Sequence, residues 1–223
     1  MEQTVKPVRS KDNIPFHCTQ CGACCRDMED KIMLEAYDAY RLGQYLRTLG
    51  TVENIEDIYE KYTSPMLLSE GFPIFTLRAC GEDHHCIFLR DGRCDVYDAR
   101  LRICRIYPFA VGPGNHSRPF SCYQCMDRHS RHFNSSRTVS VNDWMHTNFS
   151  KLECILFEKE IAALPELGKR IRQLTLERQK RFLFELLYYR YYNFELDRPF
   201  LEQYDHNQRE LFRALDEVIR HTL

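Results

Sequence analysis

Four cysteines stand within eight residues in the run His17-Cys18-Thr19-Gln20-Cys21-Gly22-Ala23-Cys24-Cys25. Crowded thiols are an oxidative liability unless something holds the sulfurs. A C-x2-C spacing lets one tight turn aim two sulfurs at a single metal ion while backbone N–H groups point at the thiolates. Gly22 supplies the positive φ that such a knuckle often needs. The spacing repeats from Cys18 to Cys21 to Cys24, as it does where an iron–sulfur cluster loop opens. Cys25 adds a sulfur that points away from its neighbour's, so it either completes the shell from another side or serves a second ion.

The other cysteines extend the pattern. Cys80, Cys86, Cys94 and Cys104 follow, then Cys122-Tyr123-Gln124-Cys125, and last Cys154, for an odd total of 11. A disulfide scaffold calls for an even count, a short chain and an export signal, and the opening MEQTVKPVRSKDNIPF has no apolar core of signal-peptide length. The expectation is a cytoplasmic protein with reduced, metal-bound thiols.

With 223 residues, 43% of them hydrophobic, the chain can bury a real core. No apolar stretch approaches the ~20 residues of a membrane span. A net charge of −1, from 31 basic and 32 acidic residues, leaves no basic arm for nucleic acid. The pattern predicts an α+β fold with little regular sheet: a polar lead-in at 1–15, a cysteine-rich module at 16–128 and a helical region at 129–223 packing on it. Ala36 to Leu49 reads as a helix closed by Gly50, Val52 to Tyr62 as a second helix, and Ile32 to Leu34 as a short strand or helix entry. Pro73 to Arg78 reads as a strand, Asp98 to Tyr107 as a short helix that delivers Cys104 and breaks before Pro108, and Gly112 to Asn115 as a turn or loop. Leu167, Ile171, Leu174, Leu183, Leu186 and Leu187 fall at helical spacing. A last helix, with Asp205 as its cap, aligns Leu211, Phe212, Leu215, Val218 and Ile219.

A hairpin is legible from Cys86 to Tyr97 around Asp91-Gly92, and its register bears on two sulfurs. A two-residue type I′ turn sets Leu89 opposite Cys94, and unbroken alternation then puts Cys86 and Cys94 on opposite faces. A type I turn with Gly92 as a G1 bulge sets Phe88 opposite Cys94 and puts both cysteines on one face. The bulged form is the expected one, because it lets both thiols address one metal region.

Together these phrases resemble the CxxCxxCC cysteine-cluster family, zinc- or iron-chelating domains also called the YkgJ family. The resemblance runs over about residues 16 to 125. It rests on His17 to Cys25, Asp38-Ala39-Tyr40-Arg41-Leu42, Cys86-Ile87-Phe88-Leu89, Cys94-Asp95-Val96-Tyr97, Arg100, and Cys104-Arg105-Ile106-Tyr107-Pro108-Phe109. The chain departs from the usual pattern at Leu101, where many members have proline. The resemblance implies thiolate ligands at Cys18, Cys21, Cys24, Cys25, Cys86, Cys94, Cys104 and either Cys122 or Cys125. Eight thiolates exceed one tetrahedral ion, so two metal sites, or a cluster and an ion, follow. The family is also similar to the cysteine-rich region of flagellin lysine N-methylases, which implies an enzymatic alternative.

Ordinary chemistry competes at several positions. Cys80 is as well explained as a core or surface thiol, and Cys154, among Leu152, Ile155, Leu156 and Phe157, as a packing residue. His17, His84 and His85 read first as titrating surface groups rather than ligands. Arg100, Arg102 and Arg105 either support cluster sulfurs or form ordinary ion pairs. The run Tyr188 to Phe194 resembles a stacking platform, although helical packing is the simpler account. No nucleotide-binding glycine loop, phosphate loop or nucleophile elbow is present. The reading that results is a metal-chelating protein, iron–sulfur ahead of zinc, with metal ions and a possible protein partner or substrate and neither nucleic acid nor membrane. The alternatives are a cluster-dependent enzyme such as a lysine N-methylase, whose catalytic residues the sequence does not reveal, and a structural zinc adaptor with a helical partner-binding tail.

Overall fold

A computed structural model describes residues 5–68, 72–115, 118–126 and 131–220 and shows an α+β fold, with small antiparallel sheets and long helices in the C-terminal half. The chain forms two compact units, each from two stretches: residues 1–28 with 79–159, and 29–78 with 160–223. The boundary expected at residue 128 lies outside the described residues. Among the described residues no helix is long and apolar enough to cross a membrane.

The lead-in carries two short strands, β1 (Val5–Val8) and β2 (Asn13–Pro15), before the cysteine loop. The chain then enters the second unit. There Met33 bridges to Thr76, so the Ile32 to Leu34 segment behaves as an extended edge. Helix α1 (Ala36–Thr48) ends as its Gly50 predicts. Gly50 has φ of 68°, its amide reaches the Arg47 carbonyl at 3.0 Å, and the Thr51 amide reaches the Leu46 carbonyl at 3.1 Å, a Schellman closure. Helix α2 (Ile55–Tyr62) starts later than Val52 because the Asn54 side chain caps it, accepting from the Asp57 amide at 3.1 Å. Strands β3 (Thr63–Leu67) and β4 (Pro73–Leu77) pair antiparallel.

The first unit resumes with two minimal ribbons, β5 (Ala79–Cys80) with β6 (His85–Cys86) and β7 (Leu89–Arg90) with β8 (Arg93–Cys94). The helix expected from Asp98 is split: a 3-10 turn at Tyr97–Ala99 is followed by α3 (Arg102–Ile106), which carries Cys104. Strands β9 (Phe109–Asn115) and β10 (Arg118–Cys125) pair, with β1 on the far side of β10. Gly112 to Asn115 is therefore strand, not turn. Two features permit this. β9 is an edge strand, where proline at 113 costs little, and Gly112 leaves room for the Tyr123 ring, 3.2 Å from where a Cβ would stand. Strand β11 (Thr138–Ser140) pairs with β2 and leads into α4 (Val141–Asn148) and α5 (Lys151–Ile171). Phe16, 1% exposed, anchors this unit immediately before the cysteine loop. Its ring meets Trp144 at 5.4 Å and Tyr107 at 5.7 Å, both edge-on.

The second unit ends with the rest of α5, α6 (Leu176–Leu187), a π turn at Tyr188–Tyr192 and α7 (Phe200–Arg220). Leu167, Leu174, Phe182, Leu186, Leu211 and Leu215 close its core, with Ile171, Phe212, Val218 and Ile219 packed against it as helical spacing predicts; in α6 the core position expected of Leu183 and Leu187 is taken by Phe182. Asp205 is not the cap of α7. The helix starts earlier, just after Pro199, because Phe200 is buried on Phe194, with the rings stacked at 4.7 Å. The aromatic run packs rather than forming a platform: Tyr191 is buried, lies edge-on to Phe75 at 5.0 Å and donates its hydroxyl to the Pro73 carbonyl at 3.0 Å.

Candidate metal centre

The cysteine loop turns through two residues with positive φ, Gln20 at 55° and Gly22 at 68°, into a 3-10 turn at Ala23–Cys25. It is held at its C-terminal end. The Asp27 and Met28 amides donate to the Asp83 and His84 carbonyls at 3.0 and 2.7 Å, and Arg26 pairs with Asp83. Gly22 itself lies on the hairpin tip: a Cβ there would stand 2.6 Å from the Leu89 Cδ1 and 2.8 Å from the Gly92 carbonyl oxygen. Segments more than sixty residues apart in sequence are thus in van der Waals contact.

The hairpin takes the type I′ register rather than the bulged one. Leu89 faces Cys94 and Arg90 faces Arg93, with Asp91 and Gly92 both at positive φ, 49° and 75°. This turn matches the right-handed twist of the ribbon, and Asp is among the few side chains that tolerate the left-handed region. The separation of Cys86 and Cys94 inferred from alternation does not follow. Ile87 and Phe88 form a turn outside the ladder, and Cys86 pairs with Ala79 in the neighbouring ribbon. Each of these cysteines is followed by a turn that directs an amide at its sulfur, from Phe88 to Cys86 and from Val96 to Cys94. An N–H aimed at sulfur favours the thiolate.

Six of the thiols, those of Cys24, Cys25, Cys80, Cys86, Cys94 and Cys104, form one neighbourhood. Cys24 and Cys25, expected to point apart, have their sulfurs 3.9 Å apart, because the 3-10 turn at Ala23–Cys25 brings neighbouring side chains together. The Cys25 thiol is pushed far above the ordinary thiol range by the Cys24 sulfur, by burial, and by charge on Cys24, Cys104 and Cys86. Burial, opposed by the Phe88 amide and reinforced by charge on Cys94, Cys80 and Cys24, pushes the Cys86 thiol up to about 11. The Cys94 thiol is raised chiefly by burial, with the Val96 amide and Arg100 opposing and Cys24 adding. Loop, ribbons and α3 therefore present thiols that resist ionising together, a repulsion that a bound cation relieves. None of the eleven cysteines is joined in a disulfide. Among the described residues no group of three or more His, Cys, Asp or Glu side chains is placed to hold a metal ion.

The arginines divide by role. Arg100 stacks on the Tyr97 ring at 3.7 Å and its charge favours the Cys94 thiolate. Arg105 is an anchor for α3: it donates to the Arg100 and Asn148 carbonyls at 3.0 and 2.8 Å and pairs with buried Glu153. Arg102 is buried beside the Phe157 ring at 4.8 Å. Of the histidines, His85 is engaged by Asp83 at 2.7 Å and His17 is exposed.

Cys122 and Cys125 lie three apart on a straight strand, so their side chains face opposite sides of the sheet. Cys122 lines a cavity of about 420 Å³ with Phe120, Met145, Phe149 and Cys154. Their C-x2-C spacing is not a knuckle. Cys154 belongs to that apolar cavity, and Cys80 stands close enough to Cys86 to raise its thiol. One contact falls outside every motif: the Cys21 sulfur lies 3.0 Å from the His132 Nε2. Nothing in the local sequence Arg131-His132-Phe133-Asn134 marks that histidine.

Residues 17–126 match the CxxCxxCC family, whose description is a putative zinc- or iron-chelating domain. No curated protein and no solved structure matches the chain.

Proposed function

Because residues 17–126 carry a CxxCxxCC domain, we propose that this chain chelates metal through the thiolates of its first unit, as an iron–sulfur cluster ahead of zinc. The donors are Cys18, Cys21, Cys24 and Cys25 of the loop, Cys86 and Cys94 of the ribbons, Cys104 of α3, and Cys125, which faces away from the cavity that Cys122 lines. The observation that carries this reading is convergence. Thiols from three separate segments raise one another's pKa values, and two of them receive a backbone amide that only a thiolate repays. Thiolate sulfur is the donor that zinc and iron–sulfur clusters share, and the repeated x2 spacing of the loop favours the cluster. Relief of thiolate repulsion by the bound group draws the sulfurs into a closed shell, so binding and ordering of the loop are one event.

Anaerobic purification with iron, zinc and acid-labile sulfide analysis tests the proposal. A brown protein with stoichiometric sulfide is the expected result; a colourless zinc protein keeps chelation and removes the cluster. Serine at Cys18, Cys21, Cys24 or Cys25, one at a time, lowers metal content and soluble yield, whereas Cys154→Ser leaves metal content unchanged. Full stoichiometry in all four loop variants is incompatible with a thiolate site in the loop.

A further inference from the structure

We propose that His132, beyond the matched domain, is a metal ligand that shares an ion with Cys21, so that one site has a mixed nitrogen and sulfur shell. This rests on the chelation reading above. His132 is 5% exposed, yet its Nε2 reaches the exposed loop and stands 3.0 Å from the Cys21 sulfur. Its ring is fixed. Phe16 meets it edge-on at 5.7 Å and 87°, Tyr107 at 6.5 Å and 76°, and the His17 amide donates to its carbonyl at 3.3 Å. The 3-10 turn Arg131–Asn134 is thereby pinned to the start of the cysteine loop.

A histidine buried in an aromatic cage needs no ligand to explain it. The direction of its polar edge does need an account, because packing alone is served equally well by phenylalanine. Thiolate and imidazole donors around one tetrahedral zinc, at bond lengths of about 2.3 and 2.0 Å, lie about 3.5 Å apart. The observed pair, at 3.0 Å, opens by about half an ångström to admit an ion of that size. Cys18, by its spacing from Cys21, supplies the next sulfur. Both zinc and iron accept imidazole beside thiolate, and in a cluster the substitution raises the reduction potential.

The test uses the full chain, made metal-free under anaerobic conditions and titrated with Co²⁺ alone. Four proteins are compared: wild type, His132→Phe, which keeps the ring in its cage without a donor, His132→Cys, which restores a donor, and His206→Ala, an exposed residue of α7, as control. In cobalt-loaded wild type, X-ray absorption shows imidazole scattering that vanishes in His132→Phe. Cobalt affinity falls in His132→Phe by more than the roughly 10–100-fold that loss of a ligand's supporting partner costs. It recovers in His132→Cys with a stronger thiolate-to-cobalt charge-transfer band, and His206→Ala matches wild type. A sulfur-only shell in wild type, or wild-type affinity and scattering in His132→Phe, overturns the inference and leaves chelation standing. Should His132→Phe not fold, wild-type scattering and the His132→Cys spectrum decide the matter. No cobalt uptake by wild type overturns both readings.

Discussion

Two glycines with the same backbone angle provide a measurement of how firmly the cysteine loop is seated on the hairpin. Gly22 and Gly50 both have φ of 68°, but a Cβ at Gly50 meets nothing within 4 Å, whereas at Gly22 it would stand 2.6 Å from the Leu89 Cδ1 and 2.8 Å from the Gly92 carbonyl. Gly50→Ala therefore costs only the left-handed conformation, about 1–2 kcal/mol. Gly22→Ala costs the same strain plus an overpacked contact of about 1–3 kcal/mol, for a total of about 2–5 kcal/mol. The Leu89 side chain can rotate away, but the Gly92 carbonyl belongs to a two-residue turn and cannot retreat without opening the hairpin. Urea unfolding at fixed free Zn²⁺ is the assay. The chain's single tryptophan, Trp144, reports the first unit, and helical circular dichroism follows Gly50→Ala in the second. Metal content falls in Gly22→Ala, since a displaced loop carries its sulfurs away from Cys86 and Cys94, and stays unchanged in Gly50→Ala. Equal destabilisation by the two substitutions, with full metal content in both, would refute the contact between loop and hairpin.

The Arg105 and Glu153 pair should prove essential to the placement of Cys104. Arg105→Ala leaves a carboxylate that is 3% exposed without its partner and costs about 3–5 kcal/mol, read by chemical denaturation. Burial works against ionising Glu153, but the Ser150 hydroxyl and amide and Arg105 outweigh it and hold the carboxyl below its ordinary value of 4.5. Its stabilising contribution is therefore full above that ordinary value and is lost as pH falls through the depressed folded value; in Glu153→Gln the low-pH arm of a stability profile flattens. Metal uptake releases protons, because the Cys86 thiol, pushed up to about 11, and the still higher Cys25 thiol are protonated near neutrality in the free protein. Calorimetric Zn²⁺ titrations in buffers of different ionisation enthalpy measure that release, and apparent affinity falls as pH is lowered. Binding heats that do not depend on the buffer would show that the thiols were already ionised.

What could be read along the chain is what local chemistry decides. A glycine two residues past the end of α1, repeated C-x2-C spacing and an Asp-Gly between short ribbons act through their own backbone angles or through bonds to residues within a few positions. Where the outcome depends on what arrives from elsewhere, the residues alone were insufficient. Gly112 to Asn115 has turn composition, but an edge position and the Tyr123 ring make it strand; Asp205 is a good cap, but the burial of Phe200 starts α7 earlier. The bulged hairpin register was the wrong choice of two that both suit Asp-Gly, and Cys86 escaped the alternation argument when a turn at Ile87 and Phe88 left the ladder. Which sulfurs and which imidazole share a neighbourhood is a tertiary fact. By itself the sequence determined the kind of donor and the local turns that present it, since spacing and glycine act at short range. Only the folded structure could bring the hairpin onto Gly22, turn Cys122 and Cys125 to opposite faces of one strand, and set His132 beside Cys21, because contacts between residues far apart in the chain form only once the surfaces between them are buried.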